Sequence, residues 1–306
     1  MASQYQIFLD EIAREIRPHL TEGKVADYIP ALAAVPADRF AMAVSTVDGD
    51  DCGVGDADVR FSVQSISKVF TLTLALQAMG RKLWDRLGRE PSGDPFNSLV
   101  QLEHEHGIPR NPYINAGALV VVDCLLDHYA DPKSAILDFV RESTGANDIV
   151  FDAEVAKSEA DWGYRNRALA NFVKSFGNLH HDVDTVLDTY FHHCALAMSC
   201  RELAFAFEHL ADGGVSRRVG REVTTAQHTK RVNSLMLTCG LYDSVGDFAY
   251  RVGIPAKSGV GGGIAAVIPG KLAVCVYSPG LDEGGNSYAG TRALELFTQK
   301  TAISIF

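Results

Sequence analysis

Ser65 and Lys68 stand three residues apart in FSVQSISKVF (61–70), at the head of an apolar run. On a helix those positions share a face, so the amine can reach back over the hydroxyl. A serine beside a neutral amine is a nucleophile beside its base. The spacing alone carries little weight. With 19 serines and 10 lysines in 306 residues, usage predicts roughly 0.6 chance S-x-x-K matches, and one is present. A second signal, K-[ST]-G, stands at Lys257-Ser258-Gly259, where usage predicts roughly 0.1.

The order of the two motifs fits serine acyl-enzymes of the penicillin-binding type, which place S-x-x-K at a helix start and K-[ST]-G on an edge strand. The chemistry also sets a condition. To act as a base near pH 7, Lys68 must fall about three units from roughly 10.4, a differential of about 4 kcal/mol. Burial or a second cation can supply it, and Lys257 is the candidate cation. Free N–H groups and the positive end of a helix at Ser65 would favour a developing oxyanion.

Competing chemistries have weaker anchors. There is no G-x-S-x-G elbow, and GVGGG (259–263) lacks the spacing of a nucleotide loop. Its glycines are expected to let backbone approach closely. The histidine pairs 104/106, 180/181 and 192/193, the last followed by Cys194, show no metal-ligand spacing. They are expected to be solvated, with no metal and no cofactor. Six scattered cysteines with no C-x-x-C pair read as reduced, buried thiols in a cytoplasmic protein.

A net charge of −10 disfavours nucleic acid and anionic membrane as partners. No apolar run approaches the roughly 18–20 residues that span a bilayer. Asp10, Glu11 and Glu15 interrupt any signal-peptide core, and Phe8, Ile12, Ile16 and Leu20 predict an amphipathic helix instead.

The elements that must position the motifs follow from periodicity. FAMAVSTVDG (40–49) and VRFSVQ (59–64) predict a hairpin with a long turn. Residues 65–79 predict a buried helix ending at Gly80. Helices are expected at 117–130, 132–143 and across about 151–212, with strands at 263–269 and 272–279 around Pro269-Gly270-Lys271. A last helix is expected at about 288–302. Strands at both ends around a helical block predict an α/β domain (1–80 and 216–306) with an inserted helical domain (81–215), together one catalytic unit.

Several segments then resemble the serine-dependent glutaminases: YIPALA (28–33), QSISK (64–68), EPSG…FN (90–97), NPYINAGA (111–118), SEADWGYRN (158–166), GLYD (240–243) and PAKSGVGGGI (255–264). The resemblance runs in order along nearly the whole chain. It implies a β-lactamase/DD-peptidase-like fold, an antiparallel sheet flanked by helices. It implies an amidohydrolase acting on L-glutamine, with Ser65 as nucleophile and Lys68 and Tyr242 moving its proton. The N–H groups of Ser65 and Val260 would form the oxyanion hole. Tyr28, Gln64, Asn115, Glu159, Asn166, Tyr190 and Tyr242 would line the substrate site, and the chain would assemble as a dimer or tetramer.

Without that resemblance Glu159 reads as a solvated helix charge, Asn115 as a turn or cap residue, and Tyr190 and Tyr242 as half-buried aromatics. Tyr113, although it begins a Y-x-N triplet, has no catalytic role in the pattern. The rival readings are a serine β-lactamase or D-alanyl-D-alanine peptidase, and a non-catalytic binding domain with the same pocket.

Overall fold

The computed structural model describes residues 3–93 and 97–306, so Phe96 of the EPSG…FN segment lies outside the described residues. Among the described residues ten strands follow in chain order: β1 (Ala41–Thr46), β2 (Asp51–Gly55), β3 (Phe61–Ser62), β4 (Val150–Phe151), β5 (Leu196–Met198), β6 (Val215–Ser216), β7 (Arg221–Glu222), β8 (Ala256–Gly259), β9 (Gly263–Ile268) and β10 (Leu272–Tyr277). Five of them form an antiparallel sheet in the order β2-β1-β10-β9-β8. β3, β5 and β4 make a small second sheet, and β6 pairs with β7.

The two strands around Pro269-Gly270-Lys271 pair as expected, from Leu272 opposite Ile268 to Tyr277 opposite Gly263. The Lys257-Ser258-Gly259 strand lies at the sheet edge. The amino-terminal hairpin differs from expectation. β1 pairs with β2, while the VRFSVQ stretch contributes only β3, in the other sheet. The turn at Asp48-Gly49 closes at once, with Gly49 at φ +96°. Its early closure pulls the Gly/Asp-rich stretch into the ladder. As an edge strand, β2 buries only Cys52, so its composition carries no alternation to read.

β1, β9 and β10 are buried on both faces. Met42, Val44, Ile264, Ile268, Leu272, Val274 and Val276 face one way, under the helices Gln4–Ile16 and Tyr288–Thr301. Ala41, Ala43, Ala265, Ala273 and Cys275 face the other. Their small side chains admit the helix Cys200–Ala211, which crosses β1, β9 and β10. The first helix buries Leu9, Ile12 and Ile16. Phe8 is only half-buried, and Leu20 lies beyond the helix, which turns at Pro18.

The helix Lys68–Met79 is buried from Lys68 through Leu76, with no solvated face. It ends at Gly80, φ +57°, as predicted. The helix Asn115–His128 lies beside it, and Pro132–Thr144 follows. All six cysteines are free and buried. Among the described residues no helix is long and apolar enough to cross a membrane, and no group of three or more His, Cys, Asp or Glu could hold a metal ion.

Candidate active site

Ser65 sits in a 3₁₀ turn, Gln64–Ser67, that leads into the helix Lys68–Met79. The residue before it, Gln64, has φ +50°, and Tyr242 has φ +56°. Left-handed backbone at a residue with a Cβ costs about 1–2 kcal/mol, and such strain gathers at functional sites. The edge strand β8 and the chain after it press against this turn. A Cβ on Gly259 would lie 2.5 Å from the Val63 carbonyl and 3.2 Å from the Ser65 nitrogen. One on Gly261 would lie 2.3 Å from the Ser62 carbonyl. These glycines do permit close backbone approach.

Lys68 is 1% exposed. Its Nζ donates to Asn115 Oδ1 at 2.7 Å and to the Tyr113 carbonyl at 3.0 Å. Burial pulls its pKa down to about 8, against the opposing pull of Cys194 and Glu159. Lys257 is also fully buried, donating to the carbonyls of Gly240 (2.9 Å) and Ser258 (2.7 Å). Its Nζ lies 4.1 Å from the centre of the Tyr242 ring. Burial, and then the charge of Lys68, push Lys257 well below an ordinary lysine. Lys68 is thus lowered by its own burial, and Lys257 is the one that feels a neighbouring cation. Burial raises the Tyr242 phenol, with a hydrogen bond to Ser65 offsetting part of the effect.

The NPYINAGA segment builds the acceptors for Lys68. Asn111 Oδ1 accepts from the N–H groups of Tyr113 (2.9 Å) and Ile114 (3.1 Å), an Asx turn that aims the Tyr113 carbonyl inward. Asn115 then opens a helix, and its Nδ2 donates to Asn166 Oδ1 at 2.9 Å. Gly117 is required because a Cβ there would lie 1.9 Å from the Asn111 carbonyl. Tyr113 supplies backbone to the site while its ring is buried, with no exposed surface.

Ser65 opens onto a cleft of about 760 Å³, counting its open mouth. Tyr28, Gln64, Asn115, Glu159, Asn166, Tyr190 and Val260 all line it. Lys68 and Tyr242 lie fully buried beneath. Tyr28 stands at the rim, 54% exposed, on a segment tied down by the bridge between Lys24 and Leu281. Glu159 is no solvated charge. It lies on the cleft side of the helix Ala153–Trp162, 6% exposed, and burial lifts its carboxyl to about 7. A hydrogen bond from Gln64 and the charge of Lys68 pull the other way. Tyr190 and Tyr242 are likewise buried, not half-buried.

Ile29, Asn97, Trp162, Gly163, Arg165 and Cys194 complete the cleft. Trp162, Gly163 and Arg165 stand inside SEADWGYRN, so their segment was readable although their roles were not. Cys194 carried no signal beyond that of a buried thiol. Of the paired histidines, His193 departs from the expected solvation. It is 0% exposed, because it faces inward on the helix Val183–Cys194, and burial holds it down at about 3.

This arrangement matches known proteins along its whole length. The glutaminase family model matches residues 23–306. A glutaminase of Sinorhizobium fredii is 57% identical over 304 residues, covering 98% of this chain and 96% of the relative. One from Aliarcobacter butzleri is 54% identical over 303 residues, covering 99% of each. Among solved structures, a probable glutaminase superimposes with a TM-score of 0.95 at 36% identity, covering 100% of this chain and 99% of the other. A probable glutaminase from Bacillus subtilis complexed with 6-diazo-5-oxo-L-norleucine does so with a TM-score of 0.90 at 31% identity, covering 100% and 98%. The sheet-and-helix architecture is the β-lactamase-like fold of such enzymes. With a cleft of this composition, and with relatives alike from end to end, the chain belongs to the glutaminase family.

Proposed function

We propose that this amidohydrolase converts L-glutamine to L-glutamate and ammonia through an ester on Ser65. The observation that carries the reading is the fully buried Lys68 three residues after Ser65, held by two acceptors. A neutral amine has two N–H groups and one lone pair. Asn115 Oδ1 and the Tyr113 carbonyl occupy the two N–H groups, leaving the lone pair for the Ser65 proton. A phenol raised above its ordinary value is a poor phenolate at neutral pH, so Tyr242 serves as the neutral relay and Lys68 as the base.

Ser65 Oγ attacks the side-chain amide carbon as its proton passes to Lys68. Charge on the tetrahedral oxygen falls to the N–H groups of Ser65 and Val260. The C–N bond breaks as Tyr242 hands a proton to the departing ammonia and recovers one from Lys68. Water then attacks the γ-glutamyl ester, its proton returns through the same pair, and glutamate leaves. Glu159 pairs with the substrate α-ammonium, and this charge partner favours its ionised form. Asn115, Asn166, Tyr190 and Tyr28 offer amide and phenol donors toward the α-carboxylate, with Gln64 against Glu159.

Residues 1–80 with 216–306 and residues 81–215 act as one unit in this reading, since cleft residues come from both. A cytoplasmic compartment is supported by the six free, buried cysteines. The family resemblance favours a homo-oligomer, dimer or tetramer, and light scattering would give the subunit number. The primary test is ammonia and glutamate release by wild type and Ser65→Ala in parallel. Release by wild type alone supports the mechanism, and equal release by both sinks it.

A further inference from the structure

The left-handed backbone of Gln64, immediately before Ser65, is gripped from the carboxyl end of the helix Val183–Cys194. Ser67 Oγ lies 2.6 Å from the Gln64 carbonyl and 2.7 Å from His193 Nδ1, both contacts buried. A carbonyl only accepts, so Ser67 spends its single proton there. It must therefore accept from the ring, which places a proton on Nδ1. Nε2 is then the bare nitrogen, and it has no hydrogen-bond partner among the described residues. A buried nitrogen without a partner is tolerated more readily as an acceptor than as a stranded donor. The relay runs one way: His193 Nδ1–H to Ser67 Oγ–H to the Gln64 carbonyl.

A second grip starts one residue later. The Cys194 carbonyl accepts from Ser62 Oγ at 3.0 Å, and Ser62 Oγ accepts from Gln64 Nε2 at 3.0 Å. Main chain and side chain of Gln64 are thus fixed by consecutive residues of one helix. That helix also carries Tyr190, whose ring meets His193 edge-on at 5.0 Å.

We infer that His193 and Ser67 are positioning residues, which hold the strained Gln64 peptide so that Ser65 is presented in its reactive geometry. The inference rests on the reading of Ser65 as nucleophile, and it assigns neither residue any contact with substrate. Misplacing a reacting atom by a fraction of an ångström slows the chemical step without loosening the substrate.

The experiment measures kcat and KM for glutamine in Ser67→Ala, His193→Leu, the double variant and His193→Asn, beside wild type and Ser65→Ala. The first two are expected to lose about 10- to 100-fold in kcat with KM within about twofold. The double variant is expected to lose no more than the worse single, as members of one relay do. His193→Asn, whose amide N–H can stand where Nδ1–H stood, is expected to recover most of the rate.

Wild-type kcat in Ser67→Ala, a loss confined to KM, or multiplying losses in the double variant would overturn the relay. If His193→Leu does not fold, Ser67→Ala, which deletes one oxygen, decides together with His193→Asn. An inactive Ser65→Ala beside an unimpaired Ser67→Ala refutes the relay alone. An active Ser65→Ala refutes the nucleophile, and the relay with it.

Discussion

The two faces of the five-stranded sheet are built from different materials. Under the terminal helices the face is large and aliphatic, with Ile264, Ile268, Leu272, Val274 and Val276 packed against Leu294 and Phe297. The opposite face is mostly alanine, and beyond it lie the buried polar groups: Lys68, Glu159, His193, Glu208 and Lys257. One side gains stability from apolar burial, at about 25 cal/mol per Å². The other buries ionisable groups, which costs free energy unless each is paired or neutralised. The molecule separates a supporting side from the side that holds the cleft, the reacting side in the proposed mechanism.

That separation can be broken. The largest effect should come on the reacting side, where Ser65→Ala should lower kcat by roughly 10⁴-fold or more and leave the melting temperature unchanged. A lower melting temperature would make Ser65 a packing residue as well. Next comes the supporting side. Phe297→Ala should cost about 3–5 kcal/mol in denaturant unfolding while kcat per folded molecule stays at wild type. A KM change there would show that the faces communicate.

Glu159→Gln should raise KM for glutamine by about 10- to 100-fold, the worth of a charged hydrogen bond, with the smaller change in kcat. If turnover alone fell, its pairing with the α-ammonium would be wrong.

The pH profile sharpens the contrast further. Burial lowers Lys68 to about 8 in the free enzyme, so the neutral base gains population as pH rises, and kcat/KM should climb to a plateau above that value. Glu159, lifted to about 7 in the free enzyme, gains a proton below that pH, and KM should rise there. A flat kcat/KM between pH 7 and 9 would remove Lys68 from the role of base. The smallest effect is expected from Ile268→Val, about 1 kcal/mol of stability with no kinetic change.

The sequence made the two sides legible to different degrees. β9 and β10 were plain, because a strand buried on both faces, branched on one and mostly small on the other, leaves a continuous apolar run. β2 was not, because DCGVG is an edge strand with no alternation. Ser65 and Lys68 were visible once their spacing was joined by the Lys257-Ser258-Gly259 triplet and the family resemblance. Their acceptors were not, since Asn115 and the Tyr113 carbonyl meet Lys68 only after an Asx turn folds. Glu159 and His193 escaped a reading by composition for one reason. Both types are usually solvated, and only tertiary packing tells which one turns inward. Family resemblance recovered Glu159, whereas His193 had no motif around it.

The pairing of β1 with β10 sets Ala41 opposite Tyr277 and Thr46 opposite Leu272. During synthesis, then, the first hairpin must wait with an unpaired edge until β10 has left the ribosome. Loop closure over such a span is slow compared with the local folding of the intervening helices. The nascent chain therefore carries a vulnerable interval, in which an open strand edge invites pairing with a neighbour. For this molecule the time most exposed to aggregation is its birth, and chaperone supply in that interval should set its yield more than the stability of the finished fold.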